Sequence, residues 1–190
     1  FSSRGAAWIG SASASVEPIA SCAMNTNRLL LSALSFFALA MLAPIARAQT
    51  NLLANGDAEA GDTSGWSDPS GNGFGVNGST TVYSGAFSFH AGLTGPTGPW
   101  TNELRQDVDV SSIAALIDAG TVTSVFSCVG RTNEAGGSSD PGAVRVEFLS
   151  AGGAVLQTYD TGVFSPFNTW QTYADSRTVP PTTRTVRVRL

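Results

Sequence analysis

The sequence predicts an all-β fold, an antiparallel β-sandwich, from three observations. After Ala48 no stretch keeps a helical period for more than one or two turns. The same region breaks into ten short runs rich in β-branched and aromatic residues, separated by Gly, Pro, Asn, Asp and Ser. Two runs alternate strictly. Val144, Val146 and Phe148 share one parity against Arg145 and Glu147, and Val186, Val188 and Leu190 share one against Arg187 and Arg189. Strict alternation marks a sheet with one face on a core and the other in water, so the first parity is expected buried and the second exposed.

The 190 residues divide into a leader and one domain. Met24 and Arg28 precede an apolar run, 29–42, which is followed by Pro44 and Ala46-Arg47-Ala48. A charged start, an apolar centre and a small-x-small site make a secretory signal peptide over 24–48, with Gln49 as the new N-terminus. Residues 1–23 then lie upstream of the leader and outside the domain, which is 49–190. The competing reading of 29–46 is a membrane anchor. At 18 residues, with Pro44 and two serines inside, that run is at the short edge for spanning. The protein is accordingly expected outside the cell or at its surface, touching a membrane only through the uncleaved leader.

Composition narrows the partners. After Ala48 the chain carries seven basic and thirteen acidic residues, a net charge of about −6, and it has no Lys. Such a surface is a poor match to phosphate backbones, so nucleic acid is not an expected partner. Cys128 is alone past the leader and His90 is the single histidine. No disulfide can form within the domain, and a zinc site, which wants three or four His or Cys ligands, has only one of each to draw on. Cys128 lies in an apolar run and reads as a buried small thiol.

In chain order, the expected strands are 51–54, 74–76, 80–83, 87–91, 103–110, 121–130, 144–149, 155–159, 170–179 and 184–190. The opening stretch Asn51-Leu52-Leu53-Ala54-Asn55-Gly56-Asp57-Ala58-Glu59-Ala60-Gly61 bends at Asn55-Gly56, where positive φ is cheap. Trp66 and Trp170 sit at strand starts and read as core. In 103–110, Gln106 shares the parity of Leu104, Val108 and Val110, so it finds a buried hydrogen-bond partner or faces a groove. Residues 112–119 make one or two helical turns with Ser111 or Ser112 as cap. Ser150-Ala151-Gly152-Gly153 closes a hairpin between 144–149 and 155–159. The sequence stops at Leu190 inside an alternating run, and the closing part of the domain is expected beyond it.

The candidate ligand site is the loop 92–102, stiffened by Pro96 and Pro99 and carrying Trp100. Sugars lay apolar C–H faces on aromatic rings while amides, carboxylates and guanidinium groups take the hydroxyls. Trp100 with Asn102, Glu103 and Arg105 supplies that set, unless Trp100 folds back as a lid on the core. Asp57, Glu59 and Asp62 flank a Gly-rich turn and are either calcium ligands or a solvated acidic loop. No Gly-x-Ser-x-Gly is present, and nothing in the spacing of the acids specifies a glycosidase pair.

The ordered set of motifs resembles galactose-binding-like jelly rolls, among them carbohydrate-binding modules and the F-box-associated lectin-like domain. Those motifs are Asn-Leu-Leu-x-Asn-Gly-x-x-Glu-x-Gly with Gly65-Trp66, Leu104 to Val110, Arg131, Val144 to Leu149, Thr169-Trp170, and the run from Val179 to Leu190. The resemblance covers 51–190. It implies a jelly-roll sandwich, a structural calcium with Glu59 as one ligand, and a glycan as partner. Two functions are expected from it. One is a secreted, non-catalytic module for a neutral glycan, free or accessory to a glycan-active enzyme. The other is a surface structural or adhesion protein that uses the same fold without a sugar.

Overall fold

The computed structural model describes residues 7–18, 51–71, 73–78, 82–91, 102–132, 141–166 and 168–190. Among the described residues nine strands form two sheets: β1 (Ala7–Pro18), β2 (Phe74–Asn77), β3 (Ser88–Ala91), β4 (Arg105–Asp109), β5 (Val122–Thr132), β6 (Arg145–Ser150), β7 (Val155–Asp160), β8 (Gln171–Thr178) and β9 (Thr183–Arg189). The first sheet runs β2-β3-β1-β5-β8 and the second β4-β9-β6-β7. Every strand pairing is antiparallel. This is the all-β sandwich that the alternation predicts.

The core lies between the sheets. Phe89, Phe126 and Cys128 come from the first, and Leu104, Val146, Phe148, Val186 and Val188 from the second. The β6–β9 register sets Val146 against Val188 and Phe148 against Val186, so the two alternating runs present one continuous apolar face. Burial of each such side chain contributes roughly 1.5–3 kcal/mol. Val144 is buried beside them, as expected from its parity. Cys128 is buried too, and desolvation pushes its thiol up to about 12, so it is an inert packing group.

Four features depart from expectation. Residues 7–18, placed outside the domain by the sequence reading, form the central strand of the first sheet, paired with β3 on one side and β5 on the other. It pairs with β3 at Trp8 and Ile9 and with β5 along most of its length, and backbone pairing of this kind is open to any composition. The stretch 51–54 is not a strand: Leu53 and Ala54 lie in a bend and turn. Their polar groups are met by side chains instead. Asn51 Oδ1 accepts the Leu53 N–H at 3.1 Å, and Gln106 Oε1 accepts the Ala54 N–H at 2.8 Å. In the expected strand 80–83, residues 82 and 83 are not strand, and the others lie outside the described residues. The helical turns are a 3₁₀ turn, Ser111–Ile113, and α1, Ala114–Asp118, with no side-chain cap from Ser111 or Ser112. Asp109 accepts the Ser111 N–H at 2.8 Å in their place, because a carboxylate two residues back reaches the free amide without leaving the strand.

Gln106 resolves as the buried-partner case. Its Nε2 donates to the carbonyls of Ala54 at 2.9 Å and Gly65 at 2.8 Å, so the opening stretch is fastened to β4. Asn55, at φ 48°, donates from Nδ2 to Asp62 O at 2.8 Å and accepts from Ala60 N–H at 3.0 Å. Trp66 donates to Asn55 O at 3.2 Å and meets Phe89 edge-on at 5.3 Å, which places it against the core as expected. The β6–β7 hairpin turns as predicted, with Gly153 at φ 79°. At the opposite rim, Arg177 on β8 reaches across to the Thr158 carbonyl on β7 at 3.0 Å and lies 5.4 Å over the Tyr159 ring.

Candidate functional site

Two surface groups carry chemistry. The first is the outer face of the second sheet, where the odd parities of β4, β6 and β9 point away from the core. Asp107 accepts both Arg187 Nε at 2.7 Å and Nη2 at 2.8 Å in a fork. Arg189 bridges Glu103 and Glu147, the latter at 3.1 Å, and Arg187 stands 4.0 Å from Glu147 on its other side. Arg105 lies 4.0 Å from Asp107, and Arg145 pairs with Asp160 at 2.6 Å. Asp107 is held below the usual carboxylate range, chiefly by the Arg187 hydrogen bond, and Asp160 likewise by Arg145. Glu147, expected in water by parity, is only 6% exposed. The two flanking guanidinium groups take its oxygens, and long arginine stems cover what the parity leaves outward.

Glu103 and Arg105, two of the sequence-predicted ligand residues, belong to this face and are spent in it. Asn102 is half-buried, and its Oδ1 is buried without a hydrogen-bond partner among the described residues. Trp100, the centre of that predicted site, lies outside the described residues. Asn102, Glu103 and Arg105 are therefore neighbours in sequence, but the parity of the strand sends Glu103 and Arg105 to the solvent face and not into a common pocket with Asn102.

The second group lies at one end of the first sheet. Glu59, from the opening stretch, accepts the Ala86 N–H on both carboxylate oxygens at 3.0 Å and the Phe87 N–H at 3.0 Å. This clamps the loop between β2 and β3. Gly85 makes the clamp possible: it sits at φ +71°, and a Cβ there would lie 2.3 Å from the Glu59 carboxylate. The clamped loop presents Tyr83, 51% exposed, edge to face with Trp170 at 5.6 Å and 66°. Arg131, at the end of β5, lies 5.7 Å over the Trp170 ring and donates to Asn168 Oδ1 at 2.9 Å. A guanidinium over an indole within about 6 Å contributes roughly 0.5–2 kcal/mol, more as it is desolvated. Thr132 fixes the loop under Asn168 by accepting its N–H at 2.9 Å and donating its own to Pro166 O at 3.0 Å. Asn168 sits at φ 52°, a conformation Asn tolerates.

Trp170 is half-buried and packs on Tyr83 and Arg131, outside the set of side chains that pack against the core. That corrects its reading as core: β8 begins one residue later, at Gln171, so the indole stands off the strand. Sequence reasoning missed Tyr83 and Asn168 as well. The usable signal was an aromatic next to Thr169 in a loop of turn residues.

As placed, the predicted calcium ligands do not make a cage. Glu59 spends both oxygens on backbone amides. Asp57 accepts Glu59 N–H at 3.2 Å and Asp62 accepts Ser64 N–H at 2.9 Å, each closing its own local turn. Calcium wants six to eight oxygens converging on one point. Among the described residues no group of three or more His, Cys, Asp or Glu is arranged to hold a metal. Nor, among them, is any helix long and apolar enough to cross a membrane.

The described residues thus define an all-β sandwich with a self-neutralised face and an aromatic corner. No family model matches the chain, and no curated protein matches it. Among solved structures, it is similar to the enzymatically active domain of tailspike protein 4 of bacteriophage CBA120, with a TM-score of 0.36 and 12% identity. The similarity covers 73% of this chain and 18% of that one, so this chain spans less than a fifth of that protein, and the likeness carries no functional argument.

Proposed function

We propose that this chain is a non-catalytic carbohydrate-binding module of the galactose-binding-like jelly-roll type, and that its ligand is a neutral glycan. The observation that carries the reading is the state of the charges. Each of the seven arginines after Ala48 is already engaged: six by carboxylates and Arg131 by Asn168 and Trp170. A ligand bearing phosphate, sulfate or carboxylate needs a cation or a cluster of N–H donors to receive it. This surface offers open aromatic area and neutral polar groups, which suit a sugar ring. Among the described residues after Ala48 the acids are likewise committed to arginines or to backbone amides, which supports binding over hydrolysis.

The test is an array of uncharged and anionic polysaccharides probed with the full chain at low and high salt. Binding to uncharged glycans with little salt dependence is expected. Binding confined to anionic glycans, falling steeply with salt, would remove the neutral-ligand reading. No binding to any glycan would favour the surface structural role.

A further inference from the structure

We infer that the sugar site of this module is the corner made by Tyr83, Trp170 and Asn168, built by Glu59 and Arg131, and not the loop that carries Trp100. The inference rests on the carbohydrate-binding reading and says where the ligand, an uncharged saccharide ring, is held.

Three observations converge on the corner. The first is exposure. Tyr83 is half in water while its ring still touches an indole, and Trp170 packs on no core side chain. Two large aromatics left together at a surface are a recognition feature more than a packing one. Their planes meet at 66°, so a ring laid on one aromatic is walled by the other.

The second is preorganisation. Arg131 is 8% exposed, an unusual place for a guanidinium, and two of its contacts belong to the corner: it supports the indole from one side and orients the Asn168 amide. With Asn168 Oδ1 receiving the arginine, that exposed amide still has its Nδ2 donors for a hydroxyl acceptor on a sugar. Glu59 and Gly85 do the same for Tyr83 by locking the loop backbone. Side chains already fixed lose little entropy when a ligand arrives.

The third is the neutral character of what remains open. Arg131 is engaged by Asn168 and Trp170, among the described residues no carboxylate is paired into the corner, and the residues bordering Trp170 are Thr169 and Gln171, both exposed. Phenol, amide and hydroxyl groups with aromatic faces select hydroxyls and C–H surfaces over charge.

Glu59 and Arg131 are positioning residues: neither need touch the sugar. A positioning role separates from a merely structural one by rescue. Glu59→Gln keeps one acceptor oxygen for the loop amides and should weaken binding less than Glu59→Ala, while the two differ little in thermal midpoint.

The experiment uses the full chain with soluble, uncharged oligosaccharides, read by calorimetry and indole fluorescence. Tyr83→Ala and Trp170→Ala should each weaken binding roughly tenfold or more, as truncation of an aromatic anchor does. Tyr83 is half-exposed, so its variant keeps the fold and answers the question even where Trp170→Ala destabilises. Trp100→Ala should change affinity less than threefold. If Tyr83→Ala and Trp170→Ala bind like the parent while Trp100→Ala loses binding, the corner is not the site, yet the module reading stands. If the parent protein binds no uncharged oligosaccharide at all, both fall.

Discussion

The outer face of the second sheet and the aromatic corner of the first are opposite solutions to the same surface. On the face, charges lie one strand apart on a regular lattice, and each is answered by a neighbour: Asp107 by Arg187, Glu103 and Glu147 by Arg189. In the corner, groups from four separate stretches meet off the lattice, and the chemistry is left open to solvent. The face is closed bookkeeping of charge with nothing left over for a ligand. The corner leaves Tyr83 and Asn168 exposed beside a half-buried indole. A repeating pattern that pairs every group tells of stability, and a convergence of loops with groups to spare tells of recognition.

The comparison breaks hardest at Gly85. Gly85→Ala forces a Cβ at positive φ into the Glu59 carboxylate, at a cost of about 1–3 kcal/mol. It should release the Tyr83 loop, so glycan affinity falls together with the thermal midpoint. Unchanged affinity, measured by calorimetry, would show that the loop does not need its clamp.

A smaller effect sharpens the other side. Glu147→Ala strips the acid from between Arg187 and Arg189, whose heads remain partly solvated, so a loss of about 1–2 kcal/mol is expected by denaturant titration. Glycan binding should be untouched. A loss of binding in this variant would move the site onto the charged face.

The smallest difference is in acid. Asp107, Asp118 and Asp160 are each held below the ordinary carboxylate range, first by a hydrogen bond from an arginine. A depressed native value means that the unfolded chain takes up the proton first. The stability these aspartates contribute is full above about pH 4 and is lost as pH falls through their native values. All are largely solvated, so the slope is shallow and salt weakens it. The thermal midpoint should therefore decline as the pH drops below about 4, while glycan binding between pH 5 and 8 stays flat. A midpoint indifferent to acid would mean that the face contributes nothing.

Much of this was legible in advance, and the physics says which part. Alternation over 144–149 and 184–190 identified the sandwich and its core, because period 2 leaves each side chain a single choice of face. Parity gave Glu147 the right face and the wrong exposure: it does not report how far arginine stems from the neighbouring strand lie over a carboxylate. Gln106 was identified as either buried or groove-facing, and the three hydrogen bonds that decide between them come from residues up to 52 positions away. The corner was invisible for the same reason, magnified. Glu59, Tyr83, Arg131 and Trp170 share no local period, and only the tertiary fold brings them within reach. Glu59 stood out in the sequence for its setting, and its carboxylate accepts a pair of peptide amides some 27 positions away, a role that no local spacing announces.

The hydrogen bond from Arg177 to the Thr158 carbonyl has a bearing on how the protein behaves in company. Strand β7 borders the second sheet, and its Val155 and Leu156 are open to solvent at 53% and 40%. A bare border of that composition invites another chain to dock as one more strand. The guanidinium already occupies an acceptor that an incoming backbone would need, and it brings a charge to the place where a stranger would have to lie. Arg177 is thereby a gatekeeper as well as a rim closure, set against neighbouring copies zipping edge to edge.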